Sequence, residues 1–291
     1  MNVKAKEITV CPVCKSQDFY KLKESIVCNF CKESYPIINN TAFLVRKNSD
    51  IRKEFTQILT KNKNKITKIF KTPSQRIWTK KSKKLIKKIL VENNPDEHNK
   101  YVLNMGSGNE KFFRKIYSNY NELIRIGLPH DGKIDIYGDA MDFPVKDDSI
   151  DLLLSSSVME HIENPEKCAA VIYRIIKPGG KIYFEIPFIR AYHMAPVDYQ
   201  RYTIQGIEQL FKRHGFDMIE KGICSGPFNG IILLWIDFLI SITPKGFKFI
   251  TRFFWSWFLH PLKYLDRLVE NRKSSNYTAC NFYYYGRKPE K

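Results

Sequence analysis

From Tyr101 onwards, short apolar runs alternate with turns and helical stretches in one fixed order, and this alternation constrains the fold most. Tyr101-Val102-Leu103-Asn104-Met105 reads as a buried parallel strand. It leads into Gly106-Ser107-Gly108-Asn109 and a helix over Glu110 to Tyr117. Further strands are expected at Leu123–Leu128, Ile134–Asp139, Leu152–Ser155, Lys181–Ile186 and Gly215–Glu220. A helix over Pro165 to Ile176 ends at Lys177-Pro178-Gly179-Gly180. Asn281–Gly286 reads as a last, antiparallel strand. Strands separated by helices predict an α/β domain with a mostly parallel sheet, whose ligands lie at the carboxyl ends of the strands. Its span is residues 99–291, with a helical insertion at 229–276 before the last strand.

The residues at the turns sharpen this reading. A glycine turn after a first strand lets the backbone approach a ligand and leaves amide groups pointing at it. Here that turn is followed in order by Asp139-Ala140-Met141-Asp142-Phe143-Pro144, Asp147-Asp148-Ser149-Ile150-Asp151, Val158-Met159-Glu160-His161 and Lys177-Pro178-Gly179-Gly180. Together these strongly resemble the class I, type 11-like S-adenosylmethionine-dependent methyltransferases, from Leu103 to about Glu220. The resemblance implies a Rossmann-like seven-stranded sheet and S-adenosylmethionine as cofactor. It places Asn104, Gly106, Ser107 and Gly108 at the methionine end, Asp139 and Ala140 at the adenine, and Ser156 beneath the cofactor. Two positions depart from the family pattern. Asn104 stands where an aspartate is frequent, and Gly127 falls where an acid usually holds the ribose, with Asp131 four residues on.

The segment Pro187 to Thr203 is dense in polar and aromatic groups and follows a strand end, where such domains place reacting groups. It resembles a methyltransferase subgroup with the run P-F-x-x-x-Y-H-x-x-P-x-D-Y-x-R-(F/W/Y)-T. His193 is the best-placed base for an acceptor proton, oriented by Asp198. Arg201 and Tyr199 are expected at the substrate, with His161 beside them. The rival reading is structural: Arg201 pairs with Asp198, and Thr203 starts a helix.

Residues 1–46 carry a second signal. Cys11 and Cys14 form one CxxC knuckle, Cys28 and Cys31 another, a spacing that suits four thiolates around a tetrahedral Zn²⁺. With all four positions filled by sulfur, the metal is expected to be structural, and a piece this small needs it to fold. Strands are expected at Ile8–Val10, Phe19–Leu22 and Ser25–Val27, and loss of the metal is expected to leave cofactor binding untouched. The run Tyr35-Pro36-Ile37, then Asn39-Asn40 to Leu44, resembles the small zinc-ribbon partner subunit of several RNA and protein methyltransferases. Asn40 stands at its usual turn glycine, and Asn tolerates positive φ.

Between the two modules, residues 47–98 read as a basic helical linker. From Ile51 to Val91 there are fourteen Lys or Arg against one acid, whereas Tyr101 to Glu220 carries fourteen basic and seventeen acidic residues. The net charge of +18 is therefore concentrated in the linker, which reads as a solvated helix surface or as a patch for phosphate in RNA, a nucleotide-activated sugar or lipid head groups. With 43% hydrophobic residues the chain has enough for a core, which excludes a disordered chain. The polar opening Met1 to Glu7 and the spacing of the cysteines argue against a secreted disulfide scaffold and for a cytoplasmic protein.

The insertion is unusually apolar. A first helix opens with Ile231 to Ile236, and a second runs from Phe247 to Leu259 with five Phe and two Trp. Lys245, Lys248, Arg252, Ser256 and Lys263 recur at helical spacing as one basic stripe. Packing over the pocket, a homodimer and peripheral contact of 231–263 with the cytoplasmic membrane face are the three ways to bury it. The expected activity is methyl transfer to a small or lipid- or sugar-linked acceptor. RNA methylation and a non-catalytic, cofactor-binding scaffold are the alternatives.

Overall fold

Four short strands precede the α/β region: β1 (Phe19–Lys21), β2 (Ser25–Cys28), β3 (Ser34–Ile38) and β4 (Thr41–Leu44). The computed structural model describes residues 3–49, 52, 72–73, 77–94, 99–106, 123–128, 134–193 and 197–290. Neighbouring strands among these four pair antiparallel. The β3–β4 hairpin turns on Asn39 and Asn40, with φ of 48° and 62°. Positive φ at both central residues is what a tight two-residue hairpin demands, and Asn supplies it without glycine. The strand expected at Ile8–Val10 is replaced by a helix, α1 (Val3–Ile8), followed by a lone bridge from Thr9 to Val145. Ala5 and Ile8 lie three apart and both face the core, a helical spacing, while Thr9 Oγ1 donates to Ala5 O at 2.5 Å.

Seven strands follow: β5 (Val102–Met105), β6 (Ile124–Gly127), β7 (Ile136–Gly138), β8 (Ile150–Ser156), β9 (Ile176–Pro187), β10 (Asp217–Ser225) and β11 (Asn281–Arg287). The sheet has eleven strands rather than seven, in the order β1-β2-β3-β4-β7-β6-β5-β8-β9-β11-β10. The extra four come from the N-terminal module, because β4 pairs parallel with β7 through Phe43 with Tyr137 and Leu44 with Gly138. Strands β7, β6, β5, β8 and β9 are parallel, and β11 runs antiparallel between β9 and β10. The strand order reverses beside β5, which is where a doubly wound sheet opens its ligand crevice.

Alternate residues feed two cores, as the period of a strand requires. On one face Leu103, Met105, Ile124, Ile126, Ile182 and Phe184 meet helices α3 (Pro165–Ile175) and α4 (Ile204–Arg213). On the other, Val102, Leu152, Leu154, Tyr183 and Tyr283 meet α2 (Lys80–Glu92). The end of the basic linker is therefore a covering helix. Ile86, Ile89 and Leu90 are its buried stripe and its lysines line the far side; Thr79 caps it, accepting from Ser82 N at 3.2 Å. Leu90 is fully buried, so Leu90→Ala would cost about 2–5 kcal/mol.

The insertion comprises α5 (Pro227–Ile242), α6 (Lys248–Phe258) and α7 (Asp266–Val269). Asp266 caps α5 from outside, Oδ1 accepting from Phe228 N at 2.8 Å and Oδ2 from Asn229 N at 3.2 Å. Lys263 does not belong to an exposed basic stripe. It is 2% exposed, and burial pushes its pKa down to about 8. The expected helix at 110–117, Ser107, Gly108, Asp131 and most of the lysine-rich stretch lie outside the described residues.

Candidate functional site

Gly106 closes β5 with φ of +71°, and a Cβ built there would stand 2.2 Å from Val158 Cγ2. Its N–H donates to Ile126 O at 3.0 Å. Both the dihedral and the contact require glycine, so β5 ends in a turn pressed against the segment that follows β8. Two residues earlier, Asn104 is buried, and its Nδ2 has no hydrogen-bond partner among the described residues. A buried donor left without a partner is costly unless a ligand meets it. Gly127 ends β6 beside this turn, and a Cβ there would lie 3.8 Å from Gly106 Cα. No carboxylate stands at that position.

Asp139 follows β7 and is 6% exposed. Burial raises its pKa, opposed by the Met141 N–H donating to Oδ1 at 2.8 Å and by Ser49 Oγ donating to Oδ2 at 3.2 Å. Ala140 is half-buried next to it. A polar cleft of about 860 Å³ opens on Asp139 between Arg46–Ser49 and Glu163–Lys167. Arg46 fixes its wall, with Nε donating to Asp142 Oδ2 at 2.6 Å and Nη2 to Pro12 O at 2.7 Å. The chain leaving the N-terminal module therefore borders Asp139, the carboxylate that the resemblance assigns to the adenine, which nothing in the motif order signalled.

Ser156, at the end of β8, donates to Glu185 Oε2 at 2.9 Å. Glu185 Oε1 accepts from Trp78 Nε1 at 2.8 Å and Tyr183 Oη at 3.2 Å. Ser156 is thus tied to the floor of the rim.

Past β8 a single 3₁₀ turn, Met159–His161, presents Glu160 and His161. The loop after β9 brings His193 against them, the two imidazoles meeting edge to face at 5.2 Å. Glu160 is fully buried, with Oε1 3.8 Å from His161 Nε2 and 3.7 Å from His193 Nε2. His161 Nδ1 bonds Val197 O. His193 Nδ1 faces Ala191 O at 3.2 Å, Arg201 Nη2 at 3.4 Å and Asp198 Oδ2 at 3.5 Å. Nδ1 thus lies among two oxygens and one guanidinium nitrogen, while Nε2 is turned towards Glu160. Burial lowers the His193 pKa, so the ring is neutral near pH 7.

Asp198 orients His193 through the backbone, accepting from His193 N at 2.8 Å. Its principal partner is Arg201, bound in a two-pronged pair with Nη2 to Oδ2 at 2.6 Å, and this holds the carboxyl down at about 2. Thr203 caps α4, accepting from Gly206 N at 3.0 Å. Arg201 is therefore committed to Asp198 rather than held open for an anionic substrate group, the structural alternative read from the sequence. Tyr199 donates its N–H to Glu160 O at 2.8 Å while its side chain is exposed. Glu160 is the member of this group that the sequence reading did not single out as a site residue. Its place between Val158 and His161 was the available signal.

The four cysteines also come together, with every sulfur within 4.8 Å of the others. Cys11 Sγ is 3.6 Å from Cys31 Sγ, and Cys14 Sγ 3.5 Å from Cys28 Sγ. Buried Tyr35 reaches Cys11 Sγ at 3.2 Å.

Residues 103–184 match the methyltransferase domain family. Over 62 residues, 21% of this chain and 24% of the relative, it is 37% identical to an uncharacterized methyltransferase of Mycobacterium ulcerans. Over 151 residues it is 25% identical to an uncharacterized methyltransferase-like protein of Schizosaccharomyces pombe, covering 44% of this chain and 57% of that one. The chain thus spans between about a quarter and somewhat over half the length of these relatives. Among solved structures, Haemonchus contortus phosphoethanolamine N-methyltransferase 2, in complex with phosphomonomethylethanolamine and S-adenosylhomocysteine, is 16% identical with a TM-score of 0.45, covering 70% of this chain and 52% of that one. With the strand order and turn residues above, the match over 103–184 means that this part of the chain is a methyltransferase-type domain set in a doubly wound sheet.

Proposed function

We propose that the protein transfers a methyl group from S-adenosylmethionine to an oxygen or nitrogen of a small, lipid-linked or sugar-linked acceptor. The observation that carries this is the contact of Gly106 with Val158, which puts the donor-side turn and the Glu160–His161–His193 group on one rim of the sheet. The residues fit the cofactor: Gly106 leaves room for a close approach, Asn104 holds an unpartnered buried donor, and Asp139 offers a carboxylate in a cleft. Bound there, S-adenosylmethionine supplies an electrophilic methyl on sulfur. The chain's part is to align the acceptor in line with it and exclude water. The His161 and His193 imidazoles, gathered on Glu160 with the His193 side chain 34% exposed, manage its proton. Calorimetry is the test: micromolar S-adenosylmethionine binding supports the reading, and none at millimolar cofactor leaves only a scaffold.

Two further parts belong to this reading. The cysteines hold a structural Zn²⁺, since bonds of about 2.3 Å put tetrahedral sulfurs roughly 3.8 Å apart, close to the spacing above. The insertion brings the enzyme to an anionic bilayer surface, where a lipid-linked acceptor is presented. Ile231, Trp235, Phe238 and Ile242 on α5, with Ile250, Phe254 and Trp257 on α6, form two exposed apolar stripes at helical spacing. Residues 227–280 carry seven basic against three acidic side chains, which suits anionic head groups.

A further inference from the structure

Apart from the four cysteines, one other group among the described residues brings metal-type ligand atoms together: Glu160, His161 and His193, within 4.8 Å of one another. The spacing of 3.7–3.8 Å between Glu160 Oε1 and each Nε2 is too long for a hydrogen bond. A cation with bonds of about 2.1 Å holds neighbouring ligands roughly 3.0 Å apart in an octahedron and 3.4 Å in a tetrahedron. From Glu160 Oε1, each Nε2 need close by about 0.3–0.4 Å for a tetrahedron and about 0.7–0.8 Å for an octahedron.

The supports behind the rings match as well. A metal-bound imidazole ordinarily gives its other N–H to a carbonyl or carboxylate, which fixes ring and tautomer. His161 Nδ1 sits on Val197 O, and His193 Nδ1 faces Ala191 O and Asp198 Oδ2. Asp198 is itself held by Arg201 and by the His193 N–H, so the ring carrying the second nitrogen is braced from three sides. The carboxylate side is sealed, whereas the His193 side chain is 34% exposed, so the open coordination positions face outwards. That opening lies on the donor-side rim, two residues from Val158. The insertion reaches the same loop, since a Cβ on Gly230 of α5 would lie 3.5 Å from Ile189 O.

We propose that Glu160, His161 and His193 hold a divalent cation through one oxygen and two Nε2 atoms, and that its open positions take the acceptor's oxygen. Two imidazoles and a carboxylate with free positions suit a borderline metal such as Mn²⁺, Fe²⁺, Co²⁺ or Zn²⁺. The cation lowers the pKa of a bound hydroxyl, whose proton passes to water. The O–CH₃ bond then forms as the S–CH₃ bond breaks and its electron pair stays on sulfur. His193 is a ligand in this arrangement, and the base assigned to it is not needed. The role, though not the ion binding, rests on the methyl-transfer reading.

Zinc-loaded full-length protein, titrated with Mn²⁺ and followed by the loss of the free-ion paramagnetic resonance signal, tests this, since Mn²⁺ competes poorly for thiolates. One Mn²⁺ per chain is expected. Glu160→Gln and His193→Asn should each weaken it by about 10- to 100-fold, with zinc content and S-adenosylmethionine binding unchanged. No uptake at millimolar Mn²⁺, or equal uptake by the native protein and His193→Asn, overturns the site. If Glu160→Gln does not fold, His193→Asn on its half-exposed ring still decides the matter. Cofactor calorimetry on the same sample separates the two readings. Mn²⁺ uptake without cofactor binding defeats only the transferase, and cofactor binding without Mn²⁺ uptake defeats only the ion site.

Discussion

Gly106 is tested most simply by adding one carbon. Gly106→Ala meets both a positive φ and the Val158 side chain, so destabilisation of about 1–3 kcal/mol and loss of cofactor binding are expected. Calorimetry that finds native affinity would show that the turn does not approach the cofactor. Asp198 gives a prediction in pH. Its folded pKa of about 2, set by Arg201, lies below the unfolded value near 3.9, so the group stabilises the fold above that value. This contribution, about 2 kcal/mol, is lost as pH falls from about 4 through 2. Asp198→Asn should therefore be less stable than the native protein by a constant amount above pH 5, with the gap closing near pH 2. Denaturant midpoints at pH 7, 4 and 2.5 measure it, and a gap independent of pH would count against the pair.

Among the elements, the N-terminal module joins the sheet instead of hanging from it, and this changes what the proposed zinc should do. β4 pairs with β7, and the residue after β7 is Asp139; Ser49, five residues past β4, donates to that carboxylate. Removing zinc, by Cys28→Ser or by a chelator, should accordingly weaken S-adenosylmethionine binding by about tenfold, where the sequence alone predicts no effect. Equal affinity of zinc-free and zinc-loaded protein would return the module to independence. The strands from Tyr101 onwards were legible because apolar period and turn glycines agree locally. The β4–β7 pairing was not, since it joins segments more than ninety residues apart and each reads equally well as an edge. Arg125 and Asp135 show the same limit: 1% and 2% exposed in their side chains, with Arg125 Nε 2.7 Å from Asp135 Oδ2, they look in sequence like ordinary strand-flanking charges. Buried pairs become visible only when the partner's place is known. The site divides similarly. Motifs pointed to Gly106, Asp139 and His193 as candidates, while Glu160, whose neighbours include a loop thirty residues away, needed the fold.

At the scale of the whole molecule the open question is what covers the insertion. Among the described residues no helix is long and apolar enough to cross a membrane, and α5, at 16 residues, is about 24 Å long. α6 has no buried residue, although Phe and Trp make up six of its eleven positions. An exposed apolar surface of this kind calls for a partner. A second copy would be covered by the same stripes, but the basic excess of 227–280 would then face itself. A bilayer meets both features, taking the aromatic stripes into its interface while Lys245 and Arg252 stay among the head groups. Sedimentation with vesicles containing anionic lipid should carry the protein down at low salt, with binding falling as salt rises. Trp235→Ser with Trp257→Ser should release it by about tenfold or more while leaving cofactor affinity in place. A stable dimer that ignores vesicles would give the stripes to a second copy. A monomer that ignores them would leave the lipid-linked acceptor without support.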